Sequence, residues 1–77
     1  MDSMLATIMY FAGNFIPQGW MPCDGSTLQT QQNGALFSLL GNRFGGDGIN
    51  TFNLPNIPDL GGVKAIICIQ GIYPERP

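Results

Sequence analysis

Few side chains in this 77-residue chain can do acid–base, nucleophilic or metal chemistry: Asp2, Asp24, Asp47, Asp59, Glu75, Cys23 and Cys68, with no histidine at all. Without histidine, Ser3, Ser26 and Ser38 lack the usual activating base, and the commonest zinc ligand is missing. Two cysteines cannot complete a tetrahedral structural zinc site, and they read as buried thiols acting as small hydrophobes; whether they meet in a disulfide is left open. A hydrolase pair of carboxylates must stand a few ångströms apart. Asp24 and Asp47 instead lie beside glycines, in Asp24-Gly25 and Gly45-Gly46-Asp47-Gly48, where an Asp side chain bonds turn backbone. These six are read as turn-forming residues. The glycine cluster follows a helix rather than opening one and lacks the Lys-Ser/Thr of a phosphate loop. Asp47 alone cannot make a calcium loop. The expectation is no enzyme, no cofactor and no metal. Trp20 and Phe15 could offer an aromatic face to a sugar ring, although an indole in so small a chain more often serves a core or an interface.

The elements that must position these residues follow from patterning. Residues 4–12 form an apolar run without regular alternation, expected as a strand buried on both faces. Gly13-Asn14 turns the chain, and Pro17 marks 14–18 as loop or edge. A short strand at 20–23 ends at Asp24-Gly25. Leu36, Leu39 and Leu40 share one face of a helix expected over about 31–40, with Phe37 off that face, Thr30 as N-cap and Gly41 beyond its end. Residues 41–62 are rich in Gly and Pro and read as ordered irregular chain anchored by Ile49, Phe52, Leu54, Ile57 and Leu60. Residues 63–73 read as a closing strand with a bulge at Gly71, ended by Pro74. The fold class is α+β: one small domain over 1–77, mostly β, with one short helix.

Charged residues make up 10% of the chain and the net charge is −2, against a usual charged content of about 25%. Disorder is excluded by the hydrophobic content, and nucleic-acid binding by the three cations. The charge-free stretch 3–23 is interrupted by Gly13, Asn14, Pro17, Gln18 and Gly19 and is no membrane span. The N-terminus has no cationic segment of a signal peptide, so synthesis in the cytoplasm is expected.

The blocks Phe11-Ala12-Gly13-Asn14-Phe15, Pro17-Gln18-Gly19-Trp20, Cys23-Asp24-Gly25, Asn33 to Gly41, Phe44 to Gly48 and Thr51 to Pro55 follow one another along the chain. Their series resembles the phage tail collar domain family. That family occurs in short tail fibres of bacteriophages and in bacterial microcystin-dependent proteins. Ile69-Gln70-Gly71-Ile72-Tyr73-Pro74 with Arg76 is similar to the closing strand of its longer members. Those members carry a Gly- and Ser-rich receptor-facing insertion before that strand; here Leu60-Gly61-Gly62 joins the two parts directly. Gly61-Gly62-Val63 also replaces the basic residues usual after the Pro-Asp-Leu segment.

The resemblance implies a small, non-enzymatic α+β unit, typically trimeric, in a virion tail or a cell-surface assembly. Its partners would be copies of itself, in a homotrimer or filament, and other tail or baseplate proteins. A charge-poor surface on a small scaffold agrees with oligomerisation. Phe11, Phe15, Trp20, Phe44 and Phe52 are the aromatic candidates for core or interface, undivided between the two. Ile8, Tyr10, Ile67 and Ile69 are candidates for strand pairing, including pairing between subunits. The alternative is a surface-glycan or receptor-binding module, reading through Trp20 among eleven neutral Asn and Gln residues.

Overall fold

The computed structural model describes residues 3–75; Asp2 and Arg76, named above, lie outside them. Its elements in chain order are β1 (Ile8–Phe11), β2 (Trp20–Pro22), β3 (Thr27–Gln29), α1 (Gly34–Leu40), β4 (Thr51–Asn53) and β5 (Lys64–Cys68). They form an antiparallel three-stranded sheet in the order β1-β5-β2 and a separate antiparallel pair, β3-β4. The architecture is α+β, with the helix a minor part.

The last strand lies at the centre of the larger sheet. Ile67 faces Ile8 on one side and Met21 on the other, and Ile66 faces Met9 and Pro22. Ala65, Ile66, Ile67 and Cys68 are all buried, as expected of a strand covered on both faces. Pro22 fits because β2 is an edge strand and one side of it needs no ladder donor.

Residues 4–12 depart from their expected role as the doubly buried strand. Only Ile8–Phe11 is strand, it lies at a sheet edge, and Ile8, Met9 and Tyr10 are exposed. An apolar run without alternation does not distinguish two covered faces from two open ones. The run is also broken before the strand. Thr7 donates its N–H to the Met4 carbonyl (3.1 Å), and Ala6 takes φ 70°. Ala6 donates to the Cys68 carbonyl while Cys68 donates to the Thr7 carbonyl, both at 2.9 Å. Two residues thus oppose one, the pattern of a bulge whose first position normally holds glycine. An L-residue in that conformation costs about 1–2 kcal/mol; in return Leu5 enters the core.

The closing strand is shorter than 63–73 because Gly71 is not a bulge within the ladder. It lies past the strand end, where a β-carbon would run into the Ser3 carbonyl and Cys68 Sγ. The chain instead returns beside the N-terminal segment. Leu5 donates to the Ile72 carbonyl at 2.8 Å and Ile72 to the Ser3 carbonyl at 2.9 Å.

The helix begins at Gly34, not near 31. The Thr30 hydroxyl donates to the Ile49 carbonyl (2.8 Å) and so ties the chain to the 49–51 turn, leaving the cap position to Asn33. Leu36 and Leu40 are buried, as their spacing predicts, and Leu39 is half-buried. Phe37 is not off the packed face: its ring lies 5.3 Å from that of Phe52. Its position next to Leu36 brings it within reach of the core, since a seven-residue helix must bury a wide stripe to be held at all. The segment 41–62 is not wholly irregular, since it supplies β4. Phe52 and Leu54 anchor it and Ile57 is half-buried, whereas Ile49 and Leu60 stand in solvent. Their neighbours are turn residues, whose backbone is held by polar bonds rather than by side-chain burial.

Candidate functional site

The two turn carboxylates are locked into backbone. Asp47 Oδ1 accepts N–H groups from Ile49 (2.8 Å), Asn50 (2.8 Å) and Thr51 (2.9 Å). The Asp47 N–H in turn meets Thr51 Oγ1 at 3.2 Å. These donors, Thr51 first, hold the Asp47 carboxyl below the usual carboxylate range. Asp24 accepts the hydroxyl and the backbone N–H of Ser26 on one oxygen, and the same direction follows, the hydroxyl contributing most. In each carboxylate one oxygen, Oδ1, is thus taken up by local hydrogen bonds. Among the described residues no group of three or more His, Cys, Asp or Glu could hold a metal ion.

A pH dependence follows. Both carboxylates titrate in the folded chain below their ordinary value of 3.8. Their contribution to stability is therefore complete above that value and is lost as pH falls through the lowered folded pKa. The unfolding midpoint should hold steady from neutral pH to about pH 5 and fall below pH 4. Asp47→Asn should be less stable at neutral pH and show a shallower acid decline. Parallel acid limbs for the two proteins in thermal denaturation would contradict this.

Cys23 and Cys68 are both buried and free. Cys23 donates its N–H to the Ala65 carbonyl, and Cys68 lies three residues further along β5. Three residues of strand span about 10 Å, beyond the reach of a disulfide at about 7 Å between Cα atoms. Burial, aided by the Asp24 charge, pushes the Cys23 thiol up, so it is an inert core group.

The aromatic candidates separate. Phe52 is completely buried; Phe11 and Trp20 are half-buried; Phe15 (61% exposed) and Phe44 stand out from the surface. Phe11 and Phe15 meet edge to face at 5.5 Å, so Phe15 extends the aromatic surface at the end of β1. Of the strand-pairing candidates, Ile67 is enclosed by β1 and β2, and Ile69 donates its N–H to the Gly19 carbonyl at 2.8 Å. Residues 63–73 therefore do not form a free edge. Ile8 and Tyr10 do lie on an edge strand, opposite Ile67 and Ala65 of the same chain.

Two clefts among the described residues bear on the candidate site. One of about 320 Å³ lies between the end of β2 and the 56–59 segment, with Ile16, Pro22, Ile57 and Lys64 among its walls. The other, of about 460 Å³, is lined by Gln29, Thr30, Gln31, Ile49, Asn50 and Thr51. The sequence does not announce the second, since there Thr30 reads as a helix N-cap and Ile49 as an anchor of the irregular segment. Its only signal there is the polar run Gln29 to Asn33.

The edge strand, the Asp24 and Asp47 turns, the short helix and β4 all fall within residues 6–61, which match the family described as Phage Tail Collar Domain. The chain belongs to the phage tail collar domain family. Collar domains are a structural phage tail family. The match ends three residues before β5, so the central strand of the larger sheet lies outside it. A comparison with curated proteins finds no match. Among the described residues of this collar domain no helix is long and apolar enough to cross a membrane.

Proposed function

We propose that the chain is a non-enzymatic structural element of a phage tail fibre, or of a phage-derived filament or injection apparatus, which acts by self-association and by contact with other tail or baseplate proteins. Membership of the collar family over residues 6–61 carries this reading. The β1 edge supports it. Ile8, Met9 and Tyr10 are exposed in succession, so both faces of the strand are open, and no charged residue occurs from 3 to 23. Strands that must stay unpaired are usually blunted by a lysine, a proline or cover from another element; within β1 there is neither residue. A strand from another subunit would satisfy its outward N–H and C=O groups and cover its side chains.

Light scattering and sedimentation of the purified chain at micromolar concentration test the proposal. The expected result is a trimer or an extended polymer, reduced toward monomer in Tyr10→Lys. A wild-type chain that stays monomeric under these conditions would overturn it.

A further inference from the structure

We infer that the cleft lined by Gln29, Thr30, Gln31, Ile49, Asn50 and Thr51 is a binding site for a neutral, hydroxyl-rich ligand of the saccharide class. This goes beyond self-association and stands without it. At about 460 Å³ the cleft lies within the range of small-molecule sites, about 300–1,000 Å³.

Its chemistry is selective. Three lining side chains are amides, two are hydroxyls and one is an isoleucine; none is charged. An ion seated there would lose hydration without gaining a counter-charge. A wholly apolar ligand would strip water from the amides without replacing its bonds. Each amide offers a carbonyl acceptor and an NH₂ donor, which suits a ligand whose own hydroxyls alternate between the two roles; the two hydroxyls are partly engaged within the chain, Thr30 donating to the Ile49 carbonyl and Thr51 accepting the Asp47 N–H. Gln29, Gln31 and Asn50 are exposed, so these groups are available.

One wall is also rigid. The Asp47 carboxylate clamps the backbone of Ile49, Asn50 and Thr51, and the Thr30 hydroxyl ties the adjacent end of β3 to the Ile49 carbonyl. The Thr30 N–H adds a bond to the Asn50 carbonyl at 3.0 Å. That clamp holds Ile49 at 77% exposure. An isoleucine fixed in solvent at the lip of a polar cleft gives the C–H face of a sugar ring something to cover, while the amides take its hydroxyls. The wall is ordered before the ligand arrives, which lowers the cost of binding. Trp20, the residue whose indole first pointed to sugars, is half-buried in β2 and does not line this cleft.

The test is an NMR titration of the full chain with three neutral probes, maltotriose, cellotriose and triacetylchitotriose, and with sialyllactose as the charged control. At least one neutral probe should shift the side-chain amide signals of Gln29, Gln31 and Asn50 and the Ile49 methyl signals saturably, with the charged sugar weaker. Asn50→Ala and Gln31→Ala should each weaken binding about fivefold, the loss of one neutral hydrogen bond, with the remaining spectrum unchanged. Ile49→Ala should weaken it comparably. No saturable shift with any neutral probe would overturn the inference. So would shifts centred on Trp20, or cleft signals that respond to protein concentration alone, which would mean that a second copy fills the cleft.

Discussion

A chain ended at Gly61, the boundary of the collar match, should not fold. Such a fragment keeps β1, β2, the helix and the β3-β4 pair but loses β5. β1 and β2 pair with β5 and not with each other, so both would lose their only ladder. The fragment also loses Ala65, Ile66, Ile67 and Cys68, each 3% exposed or less. Burying one isoleucine contributes about 1.5–3 kcal/mol, and a small domain is stable by only about 5–15 kcal/mol in all. Two isoleucines together with the ladders on either side exceed what so small a core can lose. Residues 1–61 should therefore show poor amide dispersion and no cooperative thermal transition, and a peptide of residues 62–77 added in trans should restore both. A cooperative transition in the fragment alone would show that the sheet is dispensable.

The same strand explains what could be read in the sequence and what could not. Ala65 to Cys68 and Ala6 to Phe11 are both apolar runs of strand-forming residues, and composition assigned both to strands. It could not say which one the other elements cover, because that depends on chain order in the sheet: β5, arriving last, inserts between β1 and β2. Where periodicity was available it held in part: Leu36 and Leu40, four apart, are the buried helix positions, whereas Leu39 is half-buried and Phe37 joins the packed face. Asp24 and Asp47 were legible as turn residues because a carboxylate beside glycine has a local role, and the structure places each on backbone N–H groups within four residues. The β3-β4 pair was not legible. Three residues such as Thr27-Leu28-Gln29 are too few to display an alternation, and their partners are 22 to 26 residues away at Thr51, Phe52 and Asn53. The polar cleft arises from that pairing, since it brings Gln29 opposite Thr51. Its residues were visible but their neighbourhood was not. The free edge at β1 and the rigid polar cleft occupy separate residues, so Tyr10→Lys should leave saccharide shifts intact and Asn50→Ala should leave assembly intact.

Gly46→Ala should be among the most damaging single-methyl changes in the molecule. A β-carbon there would lie 2.5 Å from Phe52 Cα and 2.8 Å from the Thr51 carbonyl oxygen. Those atoms are backbone of β4, and Phe52 itself is completely buried, so nothing flexible can move aside. At the neighbouring Gly45 the nearest atom is the end of the Asn53 side chain, which can turn away. Gly46 also has φ 92°, where an L-residue costs about 1–2 kcal/mol. Overpacking against backbone adds about 1–3 kcal/mol. The two together, about 2–5 kcal/mol, correspond to a fall in Tm of about 8–40 °C in a chain of this size. Gly61→Ala separates the two causes: its φ is 59°, but a β-carbon there meets nothing within 4 Å, so it should show the conformational cost alone. Thermal denaturation of both variants decides the matter. Equal losses would mean that φ is the whole explanation, whereas a clearly larger loss at Gly46 locates the constraint in the close approach of the 45–48 turn to β4. That approach also fixes Asp47 over the 49–51 backbone, so the damaged Gly46→Ala chain should lose its rigid cleft wall along with its stability.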